Sequence, residues 1–306
     1  MPLAPIALFA YNRPSHTRAT VESLLRNPQA RESRLHVFCD GPKSPDAQSG
    51  VAEVREYVRR IEGFRSVDVT CRDANFGLAR SIIAGVTAVC NEAGRIIVLE
   101  DDLVVAPGFL RYMNAALDRY ESSASVMQVS GFMFPVDMGV REDAMFLPIT
   151  TSWGWATWAR AWQHFDAGMS GLDRLKSDAR LRWAFNLRGA YDYYGMLLKQ
   201  SRGQVDSWAI RWYLSVFLRQ GLVLYPARTL VYNAGFDGSG THCGSGDFGQ
   251  AIPDASREVE DFPAQEILDP HWRRVTRGFP GAANPLLRHL NRGRAAAHNL
   301  LRSVWS

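Results

Sequence analysis

The sequence predicts an α/β, Rossmann-like fold in which helices flank a mostly parallel central sheet. In the first 100 residues, short aliphatic runs alternate with longer amphipathic stretches, which is the pattern of repeated strand–helix units. The fourth run, over residues 96–99, has four consecutive aliphatic residues and is typical of a strand buried on both faces. A polar loop follows each predicted strand, so these loops should meet at one edge of the sheet.

Four strand–helix units account for the first part of the chain. We predict strands over residues 6–10, 35–39, 67–70 and 96–99, and helices over 15–25, 48–61 and 78–92, with Pro107 opening another helix. Parallel strands joined in this way need right-handed crossovers, which bring the strand ends to the same side. The polar segments expected to line one crevice are residues 11–13, Asp40, residues 73–75 and residues 100–102.

The second part of the chain is predicted to be more helical. Strands over 126–130 and 144–146 precede a helical stretch from 172 to 220, and further strands follow over 222–225 and 230–233. Trp158 and Trp162 lie four residues apart, which predicts two core residues on one face of a helix.

Composition bounds the class of protein. The chain has 306 residues, of which 46% are hydrophobic and 22% charged, as in an ordinary globular protein with a real core. The net charge of +4 is mild and most arginines are spread out, so we expect no nucleic-acid partner, whereas an anionic small molecule fits. The four cysteines lack C-x-x-C spacing and are interpreted as free thiols. With no signal sequence and no apolar run near the ~20 residues of a membrane span, we expect a cytoplasmic protein.

Three adjacent carboxylates, Glu100, Asp101 and Asp102, directly follow the buried strand over residues 96–99. Acidic residues before a helix are common because they complement its positive end, so the triplet alone is weak evidence for a ligand site. At the edge of an apolar core, however, three carboxylates repel one another and lose hydration unless a cation joins them. A divalent metal would provide that charge.

The other loops at this edge carry groups suited to a nucleotide. Neither a G-x-G-x-x-G nor a G-x-x-x-x-G-K-[ST] fingerprint follows any predicted strand, which leaves metal-bridged diphosphate as the obvious means of holding phosphates. Asp40 could accept a hydrogen bond from a base imide and Arg13 could reach the base or a phosphate. Alternatively, Asp40 and Gly41 form only a turn, which is what most Asp-Gly pairs do.

Tryptophans and glycines mark two further segments. Trp153 and Trp155 flank Gly154 and are expected to face the crevice, where indole faces could stack on a sugar ring, although buried tryptophan is common. Six glycines fall within residues 235–249, a loop long enough to act as a lid, in which His242 could bind metal or a phosphate.

Asp206 immediately precedes the helix predicted over residues 207–219. An aspartate at this place is either a helix cap or a catalytic group, and the sequence pattern alone leaves both open. From His271 onward the chain has seven arginines and no acidic residue, and an apolar stripe there could contact an anionic membrane surface, the domain itself or a partner subunit.

Seven motifs in this order carry a resemblance to a known family: PIALFAYNRP, DGPK, NFGLARSI, VLEDDLVVAPGFL, SWGWATW, DSWAIRW and GSGTH. They span about residues 5–242 and resemble the GT-A glycosyltransferases related to N-acetylglucosaminyltransferase I, especially their soluble bacterial relatives. The resemblance implies a GT-A fold with a more helical C-terminal acceptor half. It also implies an inverting, metal-dependent transferase that uses a nucleotide sugar, usually a UDP-sugar such as UDP-GlcNAc.

The resemblance assigns roles by position. Asp102 would bind Mn²⁺ (or Mg²⁺), with His242 as a second candidate ligand, while Glu100 and Asp101 would contact the sugar and ribose. Asp40 would contact uracil, and Asp206 would be the general base, although the family's Trp-Asp-Asp-Trp string is Val205-Asp206-Ser207-Trp208 here. The other donor-binding residues that we assign are Tyr11, Asn12, Arg13, Asn75, Arg80, Trp153, Gly154, Trp155 and Ser239.

These roles divide the chain into a nucleotide-sugar-binding half over 1–125, an acceptor-binding and catalytic half over 126–267, and a basic helical tail over 268–306. The leading hypothesis is a cytoplasmic transferase that adds one sugar to a glycan, lipid-linked or protein acceptor. Two alternatives stay open. A nucleotidyltransferase can use a similar sheet, although the glycine- and arginine-rich first loop is absent. A catalytically silent sugar-binding module would need only the aromatic cluster, although the acidic triplet and Asp206 argue against it.

Overall fold

The computed structural model describes residues 2–140, 142–238, 250–255 and 258–279. The strands are β1 (Ile6–Ala10), β2 (Arg34–Cys39), β3 (Ser66–Cys71), β4 (Arg95–Glu100), β5 (Leu103–Val105), β6 (Val126–Ser130), β7 (Ala144–Leu147), β8 (Trp155–Trp158), β9 (Leu222–Pro226) and β10 (Val231–Asn233). The α-helices are α1 (Pro14–Leu25), α2 (Gln48–Val58), α3 (Leu78–Ala93), α4 (Phe109–Arg119), α5 (Ala159–Trp162), α6 (Leu172–Ser177), α7 (Ala179–Phe185), α8 (Tyr193–Ser201) and α9 (Trp208–Leu218).

Eight strands form one central sheet in the order β3-β2-β1-β4-β8-β6-β9-β7. The pairs β3–β2, β2–β1, β1–β4 and β6–β9 are parallel, whereas β8 is antiparallel to both of its neighbours and β7 is antiparallel to β9. The predicted mostly parallel sheet is therefore confirmed. A separate two-stranded sheet pairs β5 with β10.

Helices cover both faces of the central sheet, which explains why the inner strands are apolar without alternation. Within β1, Leu8 packs into a first core layer with α1, α2 and α4, whereas Phe9 packs into a second layer with α3 and α9. The same division holds in β4, where Leu99 lies in the first layer and Val98 in the second. Both faces of the inner strands are therefore covered by core residues, which leaves the loops at the strand ends as the exposed part of these strand–helix units.

The tryptophan-rich segment differs from its prediction. Trp158 and Trp162 do not share a helical face, because Trp158 ends strand β8 and pairs with Arg95 of β4. The Trp158 indole nitrogen donates to the carbonyl of Leu117 at 3.0 Å in the first layer, whereas Trp162 donates to the Thr87 hydroxyl at 2.9 Å in the second layer. The four-residue spacing of the two tryptophans suggested a helix, but the pairing of β8 with two neighbouring strands overrides this local preference.

Several smaller expectations can be compared with the structure. Helix α2 ends at Val58 rather than at residue 61, and β5 is a strand that the sequence analysis did not anticipate. The region from 172 to 220 is helical as predicted, and its last helix starts at Trp208. Among the described residues, no helix is both long and apolar enough to cross a membrane.

Cys39 and Cys71 are register partners on neighbouring strands, and both are free thiols together with Cys90, as expected. Burial raises the pKa of Cys39 and of Cys90 to about 12, so both thiols are held in their unreactive protonated form. Cys243 lies outside the described residues.

Candidate active site

The acidic triplet lies where β4 ends and the chain turns into β5. Glu100 is the last residue of β4, and Asp101 and Asp102 form the turn, with only 4% and 7% of their surface exposed. They are buried because β5 continues directly from the turn and pairs with β10, which places Leu103 opposite Asn233. The two aspartates are thus fixed between two strands at the carboxyl edge of the parallel sheet.

Arg13 joins both aspartates from the loop after β1. Its Nη2 donates to Asp101 Oδ1 and, at 2.9 Å, to Asp102 Oδ2. The backbone nitrogen of Tyr11 donates to Asp101 Oδ2 at 3.1 Å, and the Tyr11 hydroxyl accepts from the nitrogen of Lys43. The prediction that these loops converge on one crevice is confirmed. Asn12 lies between them, and its carbonyl sits so close to Gly50 that a Cβ there would be 2.5 Å away.

One guanidinium does not neutralise three carboxylates. Desolvation, followed by the Asp102 and Asp101 carboxylates, raises the pKa of Glu100 to about 8. Desolvation also raises the pKa of Asp101, and Arg13 only partly opposes it. The Nη1 atom of Arg13 is buried and has no hydrogen-bond partner among the described residues. An added cation would let these carboxyl groups ionise, and the cluster also has an unused donor, a combination that suits a cation together with an anionic ligand.

The chain after β10 passes directly against Asp102. The nitrogen of Ala234 donates to the Asp102 carbonyl at 2.8 Å, and a Cβ on Gly235 would lie 2.2 Å from Asp102 Oδ2. Asn233 is 2% exposed, and its Oδ1 accepts from the nitrogen of Gly235 at 2.8 Å. Gly235 therefore has to lack a side chain. The sequence analysis missed Asn233 and this role of Gly235, because both depend on the pairing of β10 with β5.

Two predicted site residues of the glycine-rich segment cannot be placed. Ser239 and His242 lie outside the described residues, so their donor and metal roles stay predictions. Just before them, Asp237 lies 3.1 Å from His16 Nε2 of α1. The sequence analysis did not single out this pair, and no local motif marks it.

Asp40 holds two loops together. Its Oδ1 accepts from the nitrogens of Gly41 and Phe76 at 2.9 and 2.8 Å, and its Oδ2 accepts from Gly77 at 2.9 Å. Asn75 Nδ2 donates to the Gly41 carbonyl at 2.8 Å and closes the same junction. The carboxylate thus has a structural task at the crevice edge, and contact with a base stays a prediction for its remaining lone pairs.

Asp40→Asn tests the structural task of this carboxylate. The amide can replace only one carboxylate oxygen, so at least one backbone N–H loses its acceptor, and we expect the free energy of unfolding to fall by about 1–3 kcal/mol. Urea denaturation measures this change. Asp46→Asn, at an exposed position of the neighbouring 3₁₀ turn, is the control and should unfold like the wild type. Unchanged stability of Asp40→Asn would contradict the structural task.

The three residues of the Trp153-Gly154-Trp155 segment lie in different surroundings. Trp153 is partly buried and makes edge contacts with Phe132 and Phe236, so it stays near the segment that follows β10. Gly154 has φ +60° and contacts Val231 too closely for a side chain. Trp155 does not face the crevice as expected: it is fully buried in β8 and stacks on Trp208, because β8 pairs with β4 inside the sheet.

Asp206 directly precedes α9 but does not cap it. Ser207 is the N-cap residue, since its Oγ accepts from the nitrogen of Ile210, at 3.4 Å. The Asp206 side chain is 63% exposed, and its Oδ1 accepts from Arg211 Nη2 at 3.0 Å. The helix-cap alternative for Asp206 is therefore removed, and its carboxylate points into solvent-accessible space.

A groove of about 550 Å³ contains Asp206 together with Arg211, Arg80 and side chains of α3. The Arg80 guanidinium lies 3.9 Å from the centre of the Phe76 ring, and Phe76 is the residue that donates to Asp40. Arg80 thus connects the groove beside Asp206 to the loops that surround the triplet.

A sequence model described as "Glycosyl transferase family 2" matches residues 6–168, just over half of the chain. The chain belongs to glycosyl transferase family 2. No protein of established function is similar enough in sequence to give a match.

The family 2 match includes every described site residue from Tyr11 to Trp155 and ends before Asp206. The protein has the GT-A fold, with the Rossmann-like, mostly parallel sheet described above. The acidic triplet and Arg13 therefore belong to the family 2 region, whereas the groove is completed by a helix beyond it.

Three solved structures are similar to this family 2 chain at low identity. S. aureus TarS 1-349 has 10% identity and a TM-score of 0.43, with 76% of this chain and 60% of that chain covered. Mouse xyloside xylosyltransferase 1 has 14% identity and a TM-score of 0.38, with 71% and 82% covered. The mannosyltransferase PcManGT from Pyrobaculum calidifontis, in complex with GDP-Man and Mn2+, has 13% identity and a TM-score of 0.34, with 51% and 44% covered. The chain spans about 60% of the TarS fragment.

Proposed function

We propose that this protein is an inverting, metal-dependent glycosyltransferase of the group related to N-acetylglucosaminyltransferase I, which moves a sugar from a UDP-sugar such as UDP-GlcNAc to an acceptor hydroxyl. The observation that carries the proposal is the triplet of Glu100, Asp101 and Asp102 at the carboxyl edge of the sheet, neutralised only in part by Arg13. Membership of the family supports a nucleotide sugar as the donor.

The residues present fit a hard divalent cation such as Mn²⁺ or Mg²⁺. Carboxylate oxygens are the ligands such ions prefer. Burial, followed by the neighbouring Asp102 and Asp101, raises the pKa of Glu100, and a bound cation would favour its ionised form. Within the described residues, no group of three or more histidine, cysteine or acidic side chains could hold a metal by itself. Asp102 would thus hold the ion together with donor oxygens, with His242 as a further candidate. The bound ion would neutralise charge on the departing diphosphate.

The chain's own residues would carry the other parts of the reaction. Asp206 would accept the proton of the acceptor hydroxyl, whose oxygen forms the bond to the anomeric carbon as the bond to the diphosphate breaks. The electron pair of that broken bond leaves with UDP, and a single in-line displacement inverts the anomeric carbon. The free Nη1 of Arg13 would donate to an oxygen of the donor nucleotide. Asp40 and Asn75 would hold the loops that receive the base.

The proposed division of labour places donor binding in residues 1–125 and acceptor binding and catalysis in residues 126–267. A glycan, a lipid-linked sugar or a protein could supply the acceptor hydroxyl. We further propose a cytoplasmic location, with the basic segment after residue 268 in contact with an anionic membrane surface.

Thermal unfolding with nucleotide sugars tests the proposed donor. UDP-GlcNAc with Mn²⁺, at 100 times its dissociation constant, should stabilise the protein by about 2.7 kcal/mol, and a chelator should remove most of this effect. Asp102→Asn should lose the stabilisation, whereas Asp173→Asn, exposed on α6, should retain it. GDP-mannose and ATP serve as comparison ligands. If no nucleotide sugar raises the melting temperature, the proposal fails.

A further inference from the structure

We propose that the groove between α3 and the start of α9 binds the acceptor, and that this acceptor is an amphipathic anion: an anionic group and an alkyl chain next to the hydroxyl that receives the sugar. This inference rests on the proposed transferase function, since it takes Asp206 as the base. Three features of the groove support it: its charged side chains, the apolar residues of α3 that form its floor, and its position beside Asp206.

The charges of the groove favour an anion. Arg80 and Arg211 line it together with a single carboxylate, that of Asp206. Arg211 is only 12% exposed and already pairs with Asp206, whereas Arg80 has no ion pair among the described residues. The guanidinium of Arg80, an exposed residue, lies 3.9 Å from the centre of the Phe76 ring, in a cation–π contact that favours this orientation. A guanidinium with unused donors is well suited to bind a phosphate or carboxylate.

The floor of the groove is apolar and made of small side chains. Ile83, Ala84, Thr87 and Ala88 share one face of α3, because they are spaced by one, three and four residues. The Thr87 hydroxyl accepts from the indole of Trp162 at 2.9 Å, so its polar group is engaged on the protein side. Burying an alkyl chain on such a floor is favourable because it removes apolar surface from water.

The residues that line the groove also argue against a sugar ring on this floor. None of them is aromatic, and aromatic faces are what the apolar side of a sugar stacks on. The indole in contact with the groove lining, Trp162, is buried and bonds to Thr87 from the protein side, so it cannot serve. The groove therefore suits an alkyl or isoprenoid segment, with the reacting hydroxyl at the end where Asp206 lies.

Arg80 receives a different task from the one that the sequence resemblance implied. The resemblance placed it among the donor-binding residues, but in the structure it lines the same groove as Asp206. We assign Arg80 to the acceptor, as the residue that selects for its negative charge. The donor remains with the loops around Arg13 and Asp40.

Binding of octyl phosphate to the full chain tests this inference, with octyl glucoside as the neutral ligand of equal chain length. Calorimetric titration should show octyl phosphate binding at least about tenfold more tightly than octyl glucoside. Ala84→Trp and Ala88→Trp fill the floor and should each weaken octyl phosphate by about tenfold or more. Arg80→Gln should weaken octyl phosphate by a similar factor, as expected for a lost charge-assisted bond, and leave octyl glucoside unchanged.

Ala52→Trp is the matched control, because Ala52 is an exposed alanine on α2 that does not line the groove. It should bind octyl phosphate like the wild type. The inference is overturned if octyl phosphate does not bind, if it binds the filled variants as tightly as the wild type, or if charge makes no difference. Stabilisation by nucleotide sugars with Mn²⁺ is measured in parallel. If one of them stabilises the protein and the groove test fails, only the acceptor assignment is refuted; if none of them does, the transferase proposal itself is refuted.

Discussion

Asp206→Asn is expected to lower the rate of sugar transfer by a factor of about 10²–10⁴, which is the usual contribution of a positioned general base. The amide keeps the size of the side chain and can still accept from Arg211, but it cannot take a proton. Release of UDP from UDP-GlcNAc in the presence of an acceptor measures the rate. Stabilisation by UDP-GlcNAc with Mn²⁺ should be unchanged, because Asp206 lies on the groove and not in the loops that hold the triplet.

The fold should tolerate this substitution. Ser207 caps α9, and the Asp206 side chain is 63% exposed, so we expect stability within about 0.5 kcal/mol of the wild type. Asp173→Asn, with a side chain that is 86% exposed on α6, is the matched control and should transfer sugar normally. Full activity of Asp206→Asn would rule out its role as the base.

Arg13→Met is expected to lower the free energy of unfolding by about 3–5 kcal/mol, which is the usual cost of removing one partner from a buried ion pair. Asp101 has only 5% of its side chain exposed, and Asp102 10%, so neither can recover its hydration when the guanidinium is lost. Urea denaturation measures the change. UDP-sugar binding should weaken as well, since the loop from Tyr11 to Arg13 would no longer be fixed to the triplet.

A second substitution tests whether the loss comes from the unpaired charge. Arg13→Met combined with Asp101→Asn should recover part of the stability, because the amide needs no counter-charge. Arg60→Met, which removes an exposed ion pair with Glu56 on α2, is the control and should cost at most about 1 kcal/mol. Equal losses from Arg13→Met and Arg60→Met would show that the Arg13 pair is not an essential part of the fold.

The strand–helix units could be predicted from sequence because each is a local pattern. An aliphatic run such as residues 96–99 signals its burial by itself, and parallel strands place their following loops at one edge, so the contact between Arg13 and the triplet could be anticipated. Strand β5 could not be predicted from sequence, because three residues between a turn and Pro107 carry no periodic signal. Its partner β10 lies more than 120 residues further along the chain.

The candidate site was predicted less completely than the fold, for the same reason. The identity of the charged groups is visible in the sequence, but their partners are not: that Asp40 accepts three backbone bonds, or that Gly235 touches Asp102, follows from contacts between distant segments. Whether Trp155 faces the crevice or the core depends on whether its segment is a strand or the loop that leads into a helix. The indole-rich composition is compatible with both.

Strand β8 also determines how the protein should unfold. It is the only sequence segment hydrogen-bonded to both β4 and β6 in the described part of the sheet, and its two tryptophans fill opposite layers, Trp158 the first and Trp155 the second. The parts of the chain before and after residue 125 thus share one sheet and two common cores in the described structure, so neither part should unfold while the other stays folded. Heating should therefore give a single cooperative transition, and the two halves should not survive as separately expressed fragments.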